Sequence, residues 1–573
     1  MFDAGRIASN MGLLPSTRRD NPPDAEVVHE TTTEILAFGQ NDDSGGWSYS
    51  LPMALARPTT PFRSDAAILG GFAAILLAVH FASGNGYGFH RDELQFLDDA
   101  RHLAWGFVAY PPLTSFCGRI AIALFGISPQ VLRLPAALVD AISLVLTGLI
   151  ARELGAVWPE RRGSSLEQTR ASHREERSRP AQIIAVIAIL PLCLCFSSVL
   201  QYNTFDLLAW SLAAYFTARV LSSGDERNWI GVGTGIGIGI LSKYSIAFPA
   251  VSLVAAVALL PSQRRHLRSR FFWYGAATAL LIASPNLIWL ARHHFITLRM
   301  ESFIHARDVR HGRARGFYSD QLKFTLFAFP LAVAGLIWLL RSPRFRLLSA
   351  FYIGPFVLFA IAKGRGYYLM PAYAVLYAAG AVALERSLAP RAAWLRISLR
   401  SIVIAALLLD SAAVAWAYLP IWRPGSAAWN WQMANNGDMR DEVGWPEFVA
   451  QVAAVRDTLP AQDRGRLAII AHNYGEAGAL ALYGPGYGLP TPISGTNSFH
   501  DRGFGPYEPE TVIVTGAYLE NQLRSFQTCT VAAQVQIPYG IRNEESEDHP
   551  DILICRHLLL PWPVVWARAQ EFG

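Results

Sequence analysis

Charged residues are scarce in this chain. Asp, Glu, Lys and Arg make up 16% of its 573 residues, against roughly a quarter in a typical soluble domain. Hydrophobic residues make up 52% and come in long blocks, which excludes a disordered chain, a collagen and an ordinary soluble enzyme. The net charge is only +5, so the overall charge predicts no nucleic-acid partner.

Cysteine and several catalytic signatures are also rare or missing. Five cysteines in so long a chain do not form a disulfide framework. The sequence has no Walker A motif, no Gly-x-Ser-x-Gly, no His-Glu-x-x-His and no cysteine cluster, which argues against ATP-driven pumping. The histidines lack the spacing of metal ligands, so we predict no metal and no other cofactor.

Apolar runs of about 15–22 residues follow one another from Ala66 onwards, and a helix of about this length crosses a bilayer. Before them, residues 1–64 are polar and predict a disordered tail; the alternative is that Met53 is the true start. Residues 112–126 are treated as a helix lying in the membrane interface. Eleven spans are predicted, near 66–83, 131–153, 181–200, 207–221, 229–243, 246–260, 272–291, 321–340, 347–362, 368–384 and 401–420.

The basic loops indicate how these spans are oriented. Counting 112–126 as a span would place the Arg-rich loop 156–180 on the same side as loop 84–110, whereas an interfacial helix places it with the N-terminal tail. By the positive-inside rule that side is cytoplasmic, and the C-terminus is then periplasmic at a bacterial inner membrane. The same side receives Arg264, Arg265, Arg268, Arg270, Arg341, Arg344, Arg346, Arg386, Arg391, Arg396 and Arg400.

The predicted fold class is a mainly α polytopic membrane helix bundle with a small C-terminal α/β domain. Residues 65–420 form the transmembrane part, with a large first external loop at 84–130, and residues 421–573 form the periplasmic domain. Short apolar runs separated by Gly and Pro predict its strands, and Cys529 and Cys555 within it are equally compatible with a disulfide and with free thiols. The strands are predicted at Leu467–Ala471, Thr511–Val514, Val531–Ile537 and Ile552–Cys555, with a helix near 446–459.

Two adjacent carboxylates, Asp92 and Glu93, follow the first span directly. Such a carboxylate at the membrane surface could serve as a general base, and ionisable groups near membrane depth are often functional. The alternative is a solvated loop with a salt bridge from Arg91. His90 precedes the pair, and Tyr110 follows in the same external loop.

The other external turns hold one more carboxylate and three cations. Asp206 lies at the mouth of a span, either as a functional group or as a helix cap. Lys243 ends its span on the outer side, and Lys363 and Arg365 are interleaved with Gly ahead of Tyr367. Cations in this setting suit a phosphate, or they simply reach the interface as long basic side chains do.

The external loop 292–320 breaks the positive-inside rule because it carries six Arg and four His. The His residues are His293, His294, His305 and His311. Either the topology differs at this point, or the loop needs cations on the outer face. A phosphate-bearing lipid would account for them.

Nine short phrases occur in an order that resembles the GT-C superfamily of polyprenyl-phosphate-sugar glycosyltransferases. Within it, the chain is similar to the branch of protein O-mannosyltransferases, lipid A aminoarabinose transferases and lipopolysaccharide-core transferases. The resemblance covers about residues 66–490, and Ser242 stands where the bacterial members commonly have Asn. The phrases are His90–Leu94, His102–Gly106, Tyr110–Leu113, Arg133–Ala136, Asn203–Asp206, Leu241–Tyr244, Ser284–Trp289, Tyr367–Pro371 and Asn473–Ala477.

This resemblance implies that a sugar on a polyprenyl phosphate is transferred with inversion on the periplasmic side. The first external loop would carry the catalytic acidic residue and juxtamembrane helices. The acceptor would be lipid A, core oligosaccharide, another envelope glycan or a protein, in contact with membrane lipids. A lipid or sugar transporter, or a flippase, is the alternative. The candidate site consists of Asp92 as general base, Glu93 and Asp206 orienting substrate, Lys243, Lys363 and Arg365 stabilising the leaving phosphate, and His90, Arg91, Tyr110 and Tyr367 binding substrate.

Overall fold

A computed structural model describes residues 62–155, 167–505 and 508–573. The predicted tail up to residue 61, the alternative start at Met53 and residues 156–166 of the Arg-rich loop lie outside the described residues. The first helix already begins at Phe62, within the predicted tail.

Up to residue 418, the described part of the chain consists of helices and the segments that connect them. In chain order they are α1 (Phe62–Ser83), α2 (Arg91–Arg101), α3 (Leu113–Phe125), α4 (Pro129–Gly155), α5 (Glu167–Phe196), α6 (Tyr202–Ser223), α7 (Asn228–Ser242), α8 (Ala247–Leu259), α9 (Arg270–Arg292), α10 (Ile296–Arg310), α11 (Phe317–Thr325), α12 (Phe329–Arg341), α13 (Ala350–Ile361), α14 (Tyr373–Leu388) and α15 (Ala393–Tyr418).

Each of the eleven predicted spans coincides with helix in the structure. Within the described ranges, seven helical segments are long and apolar enough to cross a membrane, and α7, α8 and α13 belong to shorter apolar helices. The helix over 207–221, α6, is long but does not reach the same hydropathy. The count of eleven therefore stays a prediction. Helix α3 leaves Ile120, Leu124 and Phe125 exposed, as a helix lying in the interface would.

The Gly-rich run 231–239 lies within a continuous helix, α7, that packs closely against α6 and α9. A Cβ added to Gly233 would lie 1.9 Å from the carbonyl oxygen of Gly275. A Cβ on Gly275 would lie 2.2 Å from the carbonyl oxygen of Trp229. Since neither backbone could retreat without separating the helices, close helix packing is the role of these glycines.

Contacts between loops link neighbouring segments at both ends of the helix bundle. At one end, Asn286 on α9 bonds the Trp105 carbonyl at 2.8 Å, and Tyr87 bonds the Trp422 carbonyl at 2.9 Å. We call this the outer end. At the opposite end, Arg344 bonds the carbonyl oxygens of Leu221 and Ser222.

The chain beyond residue 420 contains short helices and one four-stranded sheet. Its strand order is β1-β2-β4-β3, with β1 parallel to β2 and the remaining pairs antiparallel. The elements are α16 (Ala427–Asn435), α17 (Gly437–Arg440), α18 (Trp445–Asp457), α19 (Ala461–Arg464), β1 (Leu467–Ala471), α20 (Tyr474–Tyr483), β2 (Thr511–Thr515), α21 (Leu519–Gln522), β3 (Phe526–Gln534), α22 (Glu544–Glu547), β4 (Asp551–Leu558) and α23 (Trp562–Trp566).

The third strand differs from its prediction. The apolar run suggested 531–537, whereas β3 spans Phe526–Gln534. It is an edge strand that pairs only with β4, so much of it faces solvent and its polar first half does not show the apolar pattern of a buried strand. Cys529 lies opposite Cys555 in this pairing, and the two form a disulfide.

The C-terminal elements share a hydrophobic core with the first external loop. Leu94 and Phe96 of α2 belong to the same buried cluster as Phe448 of α18 and Ile469 of β1. The boundary predicted at residue 420 is therefore not a boundary in the packing of the apolar side chains. This shared core is what places the C-terminal domain directly over α2.

Alkylation of the denatured, unreduced protein checks the disulfide. We expect three of the five cysteines to be modified, namely Cys117, Cys193 and Cys195, which are free in the structure. Reduction before alkylation should raise the number to five. Modification of Cys529 or Cys555 without reduction would contradict the pairing.

Candidate functional site

Helix α2 begins at the candidate carboxylates, and two reciprocal hydrogen bonds cap its N-terminus. The ring Nδ1 of His90 accepts a hydrogen bond from the Asp92 backbone N–H at 3.1 Å, and the Glu93 side chain accepts one from the His90 backbone N–H at 2.9 Å. This reciprocal arrangement is a capping box. It sets the direction in which the Asp92 side chain leaves the helix.

Glu93 does not have the position expected of a substrate-binding residue. Its side chain is wholly buried and forms an ion pair with the buried Arg133 on α4, with contacts of 2.8 and 2.9 Å. It also accepts a hydrogen bond from the Leu200 backbone N–H. The expectation that Glu93 orients sugar or acceptor is corrected, because the two carboxylates leave the helix about 100° apart and only Asp92 lines the cleft.

Asp92 lies at the edge of an open cleft, with 47% of its side chain exposed. Burial of the rest of the group disfavours its charge, but His90, the Tyr474 hydroxyl and Arg91 outweigh burial and lower the pKa of Asp92 below its usual value. Asp92 is therefore an ionised carboxylate at neutral pH, the protonation state that a general base requires.

Five separate stretches of the chain build this cleft. They are the start of α2, the turn between α5 and α6, the turn before α14, the end of α15 and the segment around α17. The lining residues are His90, Asp92, Ser198, Val199, Gln201, Tyr202, Asn203, Tyr367, Tyr418, Asp438, Met439 and Glu442. Two predicted binding residues, His90 and Tyr367, thus share the cleft with Asp92.

Lys243 contacts three residues that line this cleft, namely Tyr202, Asn203 and Tyr367. The Lys243 backbone is extended and ends α7 just before the turn into α8. Its side chain therefore lies at the tip of a helical hairpin. Its Nζ donates to Asn203 Oδ1 at 2.7 Å. It also lies 4.6–5.2 Å from the ring centres of three tyrosines, which attract a cation through their π faces. These rings are Tyr202, Tyr367 and Tyr368.

Asp206 supports Lys243 and does not face the cleft. It is 1% exposed, and its two oxygens accept hydrogen bonds from Trp210 Nε1 at 3.0 Å and Ser245 Oγ at 2.8 Å. Ser245 belongs to the turn that presents Lys243. The expectation that Asp206 contacts substrate is therefore corrected: the side chain anchors this turn and interacts electrostatically with Lys243.

Arg365 lies close to Lys243 but is already paired. The two guanidinium nitrogens Nε and Nη2 donate to Asp308 of α10, the second at 2.6 Å. Glu301, two turns earlier on α10, interacts with both Arg365 and Lys243. Lys363 is exposed on the surface turn. The structure thus brings Lys243 and Arg365 together and leaves Lys363 outside the cleft wall.

Arg91 and Tyr110 are also bound to protein groups. Arg91 pairs with Glu544 of α22, and the buried Tyr110 hydroxyl donates to Asp99 on α2. Neither lines the cleft. The expectation that they bind substrate is corrected, because Arg91 joins the first external loop to α22 and Tyr110 holds α2 within that loop.

Three acidic residues near the site were missed by the sequence analysis. Asp438 and Glu442 line the cleft from the C-terminal side, and Glu301 lies near the cations. They belong to no phrase that distinguishes them from other carboxylates of this chain. Glu442 is buried beside Arg133, and burial raises its pKa to about 7 although Arg133 acts in the opposite direction.

A buried carboxyl group also lies under the start of α20. Glu476 is 1% exposed and accepts a hydrogen bond from the Thr515 hydroxyl at 2.8 Å. Burial, together with the nearby Glu545, raises the pKa of Glu476 to about 8. The group is therefore largely protonated at neutral pH and can be buried without a counter-ion.

Comparison with known proteins gives the fold. Crystal structures of ArnT from Cupriavidus metallidurans, in the apo state and bound to undecaprenyl phosphate, superpose with TM-scores of 0.52 and 0.51. The superpositions cover 85–86% of this chain and 98% of ArnT, at 12–15% sequence identity. The chain has the GT-C fold. The predicted mainly α bundle with a small C-terminal sheet domain is confirmed. With this fold and its long apolar helices, the chain is a polytopic membrane protein.

Sequence matches agree with this assignment. Residues 176–289 match the family of dolichyl-phosphate-mannose-protein mannosyltransferases. Two lipopolysaccharide core galacturonosyltransferases of Rhizobium johnstonii, RgtA and RgtB, are 23% and 26% identical to this chain. The aligned parts cover 41% and 39% of this chain and only 43% and 41% of the length of these relatives.

Replacing Glu93 by Gln should destabilise the protein strongly. It leaves the buried Arg133 with Glu442 as its remaining charge partner, and removing one member of a buried ion pair costs about 3–5 kcal/mol. Thermal unfolding of the full-length protein in detergent would measure the loss, with the exposed Glu447→Gln as the matched control. Unchanged melting of the Glu93 variant would contradict a structural role.

Glu476 predicts a local loss of stability at high pH. Because its pKa in the folded protein is raised above the unfolded value of about 4.5, its contribution is complete below pH 4.5 and is lost as the pH rises through about 8. Amide exchange should therefore show protection factors in α20 and β2 that fall as the pH rises from about 4.5 to about 8 and then level off. Glu476→Gln, which cannot ionise, should abolish this fall, and an equal fall in both proteins would assign it to another group.

Proposed function

We propose that this chain is a glycosyltransferase of the bacterial inner membrane that moves a sugar from a polyprenyl phosphate to an envelope acceptor on the periplasmic side. The observation that carries the proposal is that an ionised carboxylate, Asp92, lines the same cleft as Asn203, and that Asn203 holds a caged cation, Lys243. The undecaprenyl phosphate in the ArnT structure and the activities named for RgtA and RgtB support the same reaction class.

In the proposed reaction, Asp92 takes the proton from the acceptor hydroxyl as its oxygen attacks the anomeric carbon. A new glycosidic C–O bond forms while the bond from that carbon to the phosphate oxygen breaks. The electron pair leaves with the phosphate, and the product is free polyprenyl phosphate. Because base and leaving group act from opposite sides of the sugar, the configuration at the anomeric carbon is inverted.

The cations stabilise the charge that grows on the leaving phosphate. Lys243 is held by Asn203 and three tyrosine rings, groups that position an ammonium without neutralising it. Arg365 adds positive charge near Lys243, although part of that charge is compensated by its ion pair with Asp308. A preorganised donor of this kind acts where charge develops in the transition state, which is the most effective place for it.

Sugar binding falls to the polar groups that line the cleft. The buried Nε2 of His90 has no hydrogen-bond partner in the part of the chain described by the structure, so a sugar hydroxyl can complete it. Asp438 and Tyr367 offer further polar atoms in the same walls.

Helix α10 favours an anionic lipid as the acceptor. It exposes apolar side chains, Leu298 and Phe303, together with basic ones, Arg299 and Arg310. An amphipathic basic surface of this kind binds at the interface of membranes that contain anionic lipids. Since Asp308 of the same helix holds Arg365, an acceptor lying on α10 would be close to the cleft.

Asp92→Asn should reduce sugar transfer by about two to four orders of magnitude, because amide replaces the only group assigned to accept the acceptor proton. The assay follows a labelled sugar from polyprenyl phosphate into a glycoside, with membrane insertion and melting measured in parallel. Near-normal transfer would remove Asp92 from the mechanism. A protein that moves the lipid-linked sugar across the membrane and forms no glycoside would instead be a transporter or flippase.

Lys243→Met should slow transfer by roughly two to three orders of magnitude, with the larger effect on kcat if the cation acts mainly on the leaving phosphate. Lys363→Met is the matched control, since Lys363 is exposed, and it should retain nearly the full rate. Equal losses in both variants would point to a general effect of surface charge and not to the caged cation.

A further inference from the structure

The C-terminal domain contacts α2 along the full length of that helix. At its start, Arg91 pairs with Glu544 and Asp92 accepts a hydrogen bond from Tyr474 at 2.8 Å. Further along, Asn497 donates to Gln95 at 3.2 Å, Arg502 to Asp99 at 2.7 Å, and Arg101 to the Ala481 carbonyl at 3.3 Å. The helix that carries the candidate base is thus held by a domain that begins more than 300 residues later in the sequence.

The contact between α2 and α20 is close enough to require a glycine. A Cβ on Gly478 would lie 2.8 Å from the backbone oxygen of Leu94. Real Cβ atoms do not approach a backbone that closely, so a larger residue would push α20 away from α2. The separation between Tyr474 and Asp92 is therefore set by the packing of two helices and not by the side chains alone.

Tyr474 lies at the capped start of α20 and is held there by two side-chain contacts. Asn473 caps α20 by accepting the Gly475 backbone N–H at 2.7 Å and donates to Glu544 at 3.1 Å. The guanidinium of Arg91 lies 5.0 Å from the centre of the Tyr474 ring. The tyrosine hydroxyl then reaches Asp92 Oδ1, which leaves Oδ2 as the oxygen that can take a proton from an acceptor.

We propose that Tyr474 is a positioning residue for the transfer reaction, through which the C-terminal domain orients the Asp92 carboxylate. The proposal rests on the proposed function, because it takes Asp92 as the general base. Tyr474 makes no bond to substrate in this assignment. It selects the rotamer of Asp92 and stabilises the carboxylate as an ion. The orientation and the ionisation of the base therefore depend on the position of the C-terminal domain.

The pH dependence follows from the groups that face Asp92. These groups are His90 and Arg91 from the start of α2, Tyr474 from α20, Tyr202 from α6, and Asp438 and Glu442 in the cleft wall. A hydrogen bond to a carboxylate favours the charged form. Removing the Tyr474 hydroxyl should therefore raise the pKa of Asp92 and move the acidic limb of the rate profile to higher pH.

Tyr474→Phe tests the assignment in the full-length protein. The probes are the polyprenyl-phosphate sugars and acceptor lipids extracted from a strain that lacks this protein, and mass spectrometry detects the new glycoside. We expect kcat to fall about ten- to a hundredfold at neutral pH, the effect of one hydrogen bond to a charged group, with little change in the KM for the donor. The acidic limb should move to higher pH.

Tyr487→Phe is the matched control, because Tyr487 is an exposed tyrosine of the same domain, and it should keep the wild-type profile. Partial unfolding of Tyr474→Phe would scale the rate equally at every pH and would not move the limb. Should that variant fail to accumulate, Asn473→Ala keeps the hydroxyl but loosens the cap of α20. It should move the limb in the same direction by a smaller amount.

The outcomes separate the two proposals. An active Asp92→Asn variant would overturn the proposed function and the role of Tyr474 together. An inactive Asp92→Asn variant beside a Tyr474→Phe enzyme with the wild-type pH profile would overturn the positioning role alone. A shifted limb in Tyr474→Phe, with wild-type behaviour of Tyr487→Phe, supports it.

Discussion

The ion pair between Arg133 and Glu93 holds the start of α2 in place. Both side chains are wholly enclosed, and the guanidinium also donates to the backbone oxygens of Gly84 and Gly88. Glu442 of the C-terminal segment approaches the same guanidinium at 3.3 Å. Because a buried charge without a partner is so unfavourable, this single cation ties α4, the first external loop and the C-terminal segment into one arrangement. The direction of Asp92 depends on that arrangement.

The segments around the cleft are positioned by direct contacts between their sequence motifs. Gly106 of the first external loop lies so close to α9 that an added Cβ would be 2.2 Å from the Trp289 ring, and Asn286 of the same helix bonds the Trp105 carbonyl. Two of the phrases that carry the GT-C resemblance thus form one contact. Their role is structural: they position the external loop over the helix ends so that α2 can face the hairpin of Lys243.

Charged side chains at the outer end are held in two different ways. Several of its charged side chains are paired within the protein, as in Arg91 with Glu544, Arg365 with Asp308 and Arg502 with Asp99. Asp92 and Lys243 are held instead by neutral hydroxyl, amide and aromatic groups in addition to their electrostatic neighbours. A charge held in this way keeps most of its capacity to interact with a substrate, which is the condition for electrostatic catalysis.

The sequence by itself determined the membrane bundle, the positions of its helices and most of the C-terminal strands. Long apolar runs and alternating patterns are local signals, and they reflect the solvent that each segment meets. It also singled out Asp92, Lys243 and Tyr367, because charged or aromatic groups beside apolar spans are conspicuous. The edge strand β3 was misplaced because its polar face carries no such pattern.

Only the tertiary structure decided which candidates face the cleft. Asp92 and Glu93 are neighbours in sequence, yet one lies in the cleft and the other pairs with Arg133, since adjacent residues on a helix point about 100° apart. Asp206, Arg91 and Tyr110 are polar residues of the predicted kind, but their side chains are bound to other protein groups and do not line the cleft. The contact of Tyr474 with Asp92 joins residues separated by 382 positions. A contact of that range depends on how helices and domains pack, and no local pattern in the chain records it.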